Sequence, residues 1–215
     1  MNLETKIIEN ILKLRNTKAN ASSNANAISK SNKYTKQIPE NVFGVFVTIR
    51  RSVKLPKYPE DIHGCIGYWS PDYSILTPKE IIKHILDVSN SAMYNDTRRE
   101  YFPPIKNDPD SIIEIDFMLQ PLIKINEKTG KLLPNGEIFK NSKYGLIVEG
   151  YDKKRATYLP YVFPDTTKWN KLKESLISKA GTSIGNGNGN GNGNTFLAYT
   201  IIQWKAKLFD VMKMK

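Results

Sequence analysis

Cysteine and histidine are scarce in this chain, which has one cysteine and two histidines among 215 residues. A single cysteine cannot form an internal disulfide, which is typical of a protein from a reducing compartment. Cys65, His63 and His84 do not show any standard metal-ligand spacing. The sequence also lacks a phosphate loop, a dinucleotide fingerprint and a hydrolase elbow. We therefore expect neither a metal site nor a cofactor.

Long apolar runs are missing as well. A membrane-spanning helix needs about 18 consecutive apolar residues, and no stretch of the sequence approaches that length. The first residues, MNLETKIIEN, carry acids where a signal peptide would be basic. We expect a soluble intracellular protein with no membrane partner.

Positive charge is in excess, with a formal net charge of +11. Residues 1–40 contribute +4 and residues 203–215 contribute +3, so more than half of the excess lies at the two ends. Basic tails are usually solvated, although they leave open an association with RNA or DNA. The middle of the chain, residues 41–202, is only mildly basic.

Apolar residues at helical spacing predict three helices. One covers residues 3–14, and a second covers residues 78–93, with Thr77 as N-cap and Glu80 as the capping-box acid. A third helix bears Trp169, Leu172, Leu176 and Ala180; its expected N-cap is Asp165 or Thr166, and Gly181 ends it.

Strand patterns occur between and after these helices. In SIIEIDFML, apolar residues alternate with Glu114 and Asp116, which predicts one dry face with the acids on the other. In ATYLPYV, Pro160 restricts the strand to an edge or a strand end. The other strand candidates are FGVFVTIR, YGLIVEG and the segment from Ala198 to Leu208. Because strands and helices do not alternate regularly, we expect an α+β fold with a mainly antiparallel sheet and packed helices.

Two low-complexity segments help to divide the chain. The N-terminal helix and a Ser/Asn-rich linker occupy residues 1–38, and the main domain is expected to cover residues 39–210. The repeat GNGNGNGNGN, residues 185–194, is interpreted as a flexible surface insertion in that domain. Residues 211–215 form a short basic tail.

Several motifs in the same order resemble the AMMECR domain family, whose signature hexapeptide is LRGCIG. The resemblance covers about residues 40–210. The motifs that carry it are GVFVT, IHGCIG, the Asp96 and Arg98 segment with FPP, IIEIDFMLQPL, YGLIVEG, KKRATYLPYV and KWNKLKESLISKAG. The resemblance implies two subdomains that flank a cleft beside the hexapeptide, and a cytoplasmic or nuclear location. It lends no established reaction, but it implies a Memo-type or radical SAM protein as a partner.

The chain departs from the family pattern in two places near the hexapeptide. Ile62 and His63 stand where the family has Leu and Arg, so a permanent cation is replaced by a titratable imidazole. The segment TRREY is longer than its family counterpart, so the family's arginine corresponds to either Arg98 or Arg99.

Three interpretations of Cys65 stay open: a small buried side chain, part of a ligand site, or a nucleophile. In an extended strand, His63 and Cys65 would share a face with Cα atoms about 6–7 Å apart, so His63 would be its catalytic partner. The cleft residues that the resemblance implies are Gly64, Ile66, Gly67, Asp96, Arg98 and Tyr158.

The expected function is a regulatory binding module that holds a small anionic ligand or a protein partner at HGCIG. Two alternatives are an enzyme that uses Cys65 with His63, and a nucleic-acid-associated protein that uses its basic tails.

Overall fold

The computed structural model describes Ile8 and residues 37–52, 61–102, 108–182 and 193–208. The chain divides into two compact units. The first unit contains Met1–Met118 and Ile202–Lys215, and the second contains Leu119–Ile201. Of the predicted helix over residues 3–14, only Ile8 is described, and it is helical and buried. The predicted linker, the basic tail and most of the Gly/Asn insertion lie outside the described residues.

Six strands form one sheet: β1 (Val42–Arg50), β2 (Ile62–Trp69), β3 (Ile112–Ile125), β4 (Gly145–Glu149), β5 (Arg155–Tyr158) and β6 (Thr195–Lys207). Their order across the sheet is β2-β1-β3-β6-β4-β5. The pairs β1–β2, β4–β5 and β4–β6 are antiparallel, which confirms the predicted α+β class. Strands β3 and β6 each contribute residues to both units.

The first unit has one long helix, α1 (Pro78–Tyr94), which packs on β1 and β2. The predicted capping box is confirmed: Thr77 Oγ1 accepts from the Glu80 amide, and Glu80 Oε2 accepts from the Thr77 amide. A short 3₁₀ helix, Thr97–Tyr101, follows α1. Among the described residues, no helix combines the length and apolar character that a membrane crossing needs.

The second unit has its own apolar core, to which β3, β4, β6 and the helix α2 (Trp169–Ala180) contribute. Gly181 adopts the left-handed conformation at the end of α2, as predicted. The predicted N-cap is wrong, because Lys168 occupies that position without a side-chain hydrogen bond. Asp165 instead accepts hydrogen bonds from the amide and hydroxyl groups of Ser142.

The alternation of apolar and acidic residues in β3 does not produce one buried face and one solvent-exposed face. Glu114 and Asp116 are 3% and 2% exposed, so the acidic face of this strand is buried as well. Glu114 forms ion pairs with Arg50 of β1 and Lys205 of β6, both at 2.7 Å. The Asp116 carboxylate accepts from Gln203 of β6 at 2.7 Å. Polar side chains of neighbouring strands therefore satisfy the acids that the pattern assigned to solvent.

At Gly64 the strand β2 lies directly against the backbone of α1. A Cβ atom on Gly64 would lie 1.9 Å from the carbonyl oxygen of Ala92 and 3.1 Å from Asp96 Cβ. A backbone carbonyl cannot rotate away as a flexible side chain can, so the helix itself would have to shift. Only glycine fits at this contact.

We expect Gly64→Ala to lower the free energy of unfolding by about 3 kcal/mol, because the added methyl overlaps the helix backbone. Gly193→Ala is the matched control, since its Cβ would meet only Glu127 Oε2 at 3.5 Å. Urea unfolding of both variants measures the difference. Equal stability of the two variants would contradict the described helix–strand contact.

Candidate functional site

Strand β2 carries the hexapeptide and lies at one end of the strand order. Thr48 is the partner of Cys65 and Phe46 is the partner of Gly67. The register then shifts, because Ile49 pairs with Gly64 whereas Arg50 pairs with Ile62. His63 is thus the extra residue of a β-bulge.

Asp96 and Arg98 are held at the outer edge of β2, opposite the side that pairs with β1. Asp96 Oδ2 accepts from the Cys65 amide at 2.9 Å, and the Cys65 carbonyl accepts from Arg98 Nη2 at 3.2 Å. Both outward backbone groups of Cys65 are therefore satisfied by side chains from one short segment. This arrangement protects the strand edge at that position.

The same two side chains bind each other through both carboxylate oxygens. Arg98 Nε donates to Asp96 Oδ1 at 3.0 Å, and Arg98 Nη2 donates to Asp96 Oδ2 at 2.7 Å. Asp96 is also the N-cap of the 3₁₀ helix, where its Oδ1 accepts from the Arg98 amide. Arg98, rather than Arg99, is the arginine in this network, and 38% of its side chain remains exposed.

Burial by itself would raise the pKa of Asp96, but the hydrogen bonds from Arg98 and from the Cys65 amide outweigh it. The net effect is a pKa below the usual range for an aspartic acid. The carboxylate therefore stays ionised while it is largely buried, and it keeps its role as an acceptor for β2.

The thiol of Cys65 is half-buried. Its sulfur accepts a hydrogen bond from Thr48 Oγ1 at 3.2 Å across the β1–β2 pair. A neutral hydroxyl is a donor here and does not remove the thiol proton. This contact holds the side chain in place without activating it.

His63 is 4% exposed, and its Nε2 lies 3.3 Å from the carbonyl oxygen of Met93. Burial lowers the pKa of His63, and the charge of Arg51 lowers it further. The neutral ring therefore donates from Nε2 to Met93, at the end of α1. The prediction that His63 and Cys65 share a face assumed regular alternation, which the bulge interrupts.

Gly67 lies two residues beyond Cys65 on the same regular stretch of β2. Because backbone groups of residues i and i+2 point the same way in an antiparallel strand, its amide faces the same outer edge. On the other side, a Cβ atom would lie 2.3 Å from the Phe46 ring. The Phe46 ring therefore covers one face of Gly67; Gly67 and Ile66 are both half-buried.

Tyr158 belongs to the second unit, at the end of β5. Its hydroxyl lies 2.8 Å from Ser175 Oγ, and Lys179 Nζ stands 4.5 Å from its ring centroid. Both partners belong to α2, so Tyr158 anchors the edge strand to this helix. The cleft between subdomains stays a prediction.

The sequence did not single out the acidic residues of β3 as part of a functional site. The buried carboxylates of Glu114 and Asp116 form a polar cluster in the first unit with Gln203 and with the partly exposed Arg50 and Lys205. Burial raises the pKa of Asp116 to about 6, an effect that the nearby Glu114 strengthens. Within the described ranges, no three His, Cys, Asp or Glu side chains come close enough to hold a metal ion.

Comparisons with known proteins give one family and one fold. The model of the AMMECR1 family matches residues 6–193. The crystal structure of the uncharacterized protein PH0010 from Pyrococcus horikoshii is similar, with a TM-score of 0.52 and 18% sequence identity. The similarity covers 94% of this chain and 93% of that chain. No curated protein sequence matches the chain.

We expect Asp96→Asn to lower the free energy of unfolding at pH 7 by about 2 kcal/mol, because charge-assisted hydrogen bonds to β2 and Arg98 are lost. The folded-state pKa of Asp96 is depressed. Its contribution is therefore complete above the unfolded pKa of about 3.9 and is lost as the pH falls through the folded value. Urea unfolding from pH 7 to pH 3 should show the two proteins converging in acid, and a constant difference would contradict the assignment.

The opposite pH dependence is expected at Asp116, whose pKa is raised to about 6. Between about pH 4 and pH 6 the unfolded chain releases this proton first, so the stability of the wild type falls as the pH rises. Asp116→Asn keeps an oxygen acceptor for Gln203 and removes the buried charge. At pH 7.5 the variant should be more stable by up to about 3 kcal/mol, an advantage that disappears near pH 4. Thermal and urea unfolding across this range provide the measurement, and a pH-independent difference would be the contrary result.

Proposed function

The chain belongs to the AMMECR1 family, and on that premise we propose that it is a binding module that takes a small anionic ligand at the outer edge of β2. The ligand would lie between the Gly67 amide and the Arg98 guanidinium. Binding at this edge would serve a regulatory role, and the protein would carry out no covalent chemistry on the ligand.

The observation that carries the proposal is the fixed position of Arg98. Asp96 binds it through both carboxylate oxygens, and the Cys65 carbonyl accepts from it at 3.2 Å. An arginine that is held in one conformation loses little further side-chain entropy when it binds an anion. Because 38% of the side chain is exposed, the cation is accessible to a solute.

Gly67 supports the proposal from the strand itself. Its amide faces the same edge as the Cys65 amide, one strand repeat away. A backbone N–H beside a guanidinium is a common way to bind a carboxylate or phosphate oxygen. The two donors together favour a ligand with an anionic, oxygen-rich group.

Nucleophilic catalysis by Cys65 has less support. The observed hydrogen bond to the thiol comes from Thr48, which is not a base, and His63 directs its Nε2 to the carbonyl oxygen of Met93. The side chain of Cys65 is therefore better suited to form part of a binding surface.

Inorganic phosphate is the probe for the test. We expect titration at constant ionic strength to shift the ¹⁵N–¹H resonance of Gly67 saturably, and Arg98→Ala to weaken this binding about tenfold. Arg99→Ala is the matched control, because it removes the same charge from the adjacent, exposed residue. Cys65→Ser should bind phosphate as the wild type does.

Arg98→Lys separates a binding defect from a folding defect. It keeps the charge but cannot form the two-oxygen contact with Asp96, so its affinity should lie between those of the wild type and Arg98→Ala. If Arg98→Ala and Arg99→Ala lost the same phosphate affinity while both stayed folded, the effect would be a general one of positive charge and not of a specific site. Absence of a saturable shift at Gly67 would refute the site.

A further inference from the structure

The face of β2 opposite α1 carries aromatic side chains beside Gly67. Helix α1 lies against Gly64, whose Cβ position is 1.9 Å from the carbonyl oxygen of Ala92. Side chains alternate between the two faces of a regular strand, so Gly67 and Trp69 lie on the opposite face. Phe46 is the β1 partner of Gly67 and shares that face. These residues therefore lie on the side of the sheet away from α1.

The Phe46 ring lies flat against Gly67. Three of its atoms, Cγ, Cδ1 and Cε1, are 2.3–2.4 Å from the Cβ position of Gly67. Nearly equal distances to neighbouring ring atoms place that position over the face of the ring and not at its rim. The ring of Trp69 is nearly parallel, with an interplanar angle of 20° and 6.0 Å between the two centroids. We call the rings of Phe46 and Trp69 the aromatic platform.

The aromatic platform is less buried than the apolar side chains on the other face of β1. Both of its rings are half-buried. The side chains of β1 that face α1 are 0% exposed: Val45, Val47 and Ile49. The two rings thus keep accessible surface that the core side of the same strand does not have, and an aromatic ring with an accessible face can stack on a planar ligand.

The platform and the anion site meet at Gly67. Its amide faces the outer edge of β2, where Arg98 donates to the Cys65 carbonyl at 3.2 Å. A ring stacked on the outward face of Phe46 would lie two carbon contact distances above the strand, about 7 Å. An anion at the edge would lie within hydrogen-bond distance of the strand itself. A ligand that uses both needs a spacer of several atoms between its ring and its anionic group.

We propose that the ligand of this site is a nucleoside monophosphate, whose base stacks on Phe46 and whose phosphate binds the Gly67 amide and Arg98. The sugar supplies the spacer between the two groups. The inference rests on the proposed anion site and names the class of its ligand. Stacking of a base on an aromatic side chain is tolerant of base identity and raises affinity about tenfold or more.

The charge of the first unit favours a single nucleotide over a nucleic-acid strand. Among the described residues of this unit, acidic side chains outnumber basic ones. The affinity for a strand depends on many basic residues that neutralise successive phosphates. One fixed guanidinium and one backbone amide are sufficient for one phosphate group.

The test compares four ligands at constant ionic strength by the shift of the Gly67 ¹⁵N–¹H resonance. Adenosine 5′-monophosphate should bind the wild type at least tenfold more tightly than ribose 5-phosphate, which has the phosphate and spacer without the base. Phenyl phosphate has a ring without the spacer and should bind within about twofold of ribose 5-phosphate. Tetra-adenylate without a terminal phosphate should bind at least tenfold more weakly than the mononucleotide.

Substitutions at Phe46 connect the preference to the platform. Phe46→Leu should reduce the affinity ratio of adenosine 5′-monophosphate to ribose 5-phosphate to within about twofold, because the ring is lost. Phe46→Tyr keeps a ring and should keep the ratio. Phe163→Leu is the matched control, since it removes a half-buried ring from the second unit and should leave the ratio unchanged. Thermal denaturation of each variant shows that it is folded, and the wild-type ratio needs no variant.

The outcomes separate this inference from the proposed function. If inorganic phosphate does not shift Gly67, the anion site fails and the nucleotide assignment fails with it. If phosphate binds but the wild type does not prefer adenosine 5′-monophosphate to ribose 5-phosphate, only the nucleotide assignment is overturned. It is overturned as well if the preference survives in folded Phe46→Leu or if phenyl phosphate binds as tightly as the nucleotide. Tighter binding of tetra-adenylate would assign the site to single-stranded nucleic acid instead.

Discussion

The hydrogen bond from the Cys65 amide to Asp96 is the contact on which the hexapeptide region depends. At 2.9 Å it joins an edge strand to the segment after α1, and it places Arg98 where it reaches the Cys65 carbonyl. A carboxylate can accept several hydrogen bonds at once, so one buried side chain satisfies the strand, the start of the 3₁₀ helix and the guanidinium. A neutral amide in its place would have to give up at least one of these contacts.

The buried acids of the first unit respond to pH in opposite ways because their partners differ. Asp96 receives hydrogen bonds from a guanidinium and two backbone amides, which favour its ionised form. Asp116 lies in the interior with a neutral carboxamide as its hydrogen-bond donor, and the cations nearby pair with Glu114. Burial therefore dominates at Asp116 and hydrogen bonding dominates at Asp96. The shared chemical type of the two residues says little about their charge in the folded protein.

Local signals in the sequence predict local structure well. The Thr77 and Glu80 capping box and the Gly181 helix end depend on residues within a few positions of one another, and both were confirmed. The bulge at His63 depends on the register between two strands, which no local pattern determines. Similarly, Glu114 is buried because Arg50, 64 residues away, lies beside it. The alternation of apolar and polar residues along a strand predicts that each acid faces solvent, because the pattern contains no information about partners on other strands.

Two backbone positions of this fold favour glycine, and only one of them has it. Gly64 is a glycine, whereas Tyr161 is not. At Gly64 any side chain would overlap the carbonyl of Ala92, so packing alone dictates the residue. At Tyr161 the left-handed backbone would favour glycine, yet the residue is a tyrosine whose side chain is 74% exposed. Folding stability explains why residue 64 is glycine, but it does not explain why residue 161 is tyrosine. The left-handed backbone at Tyr161 therefore costs free energy of folding that glycine would avoid.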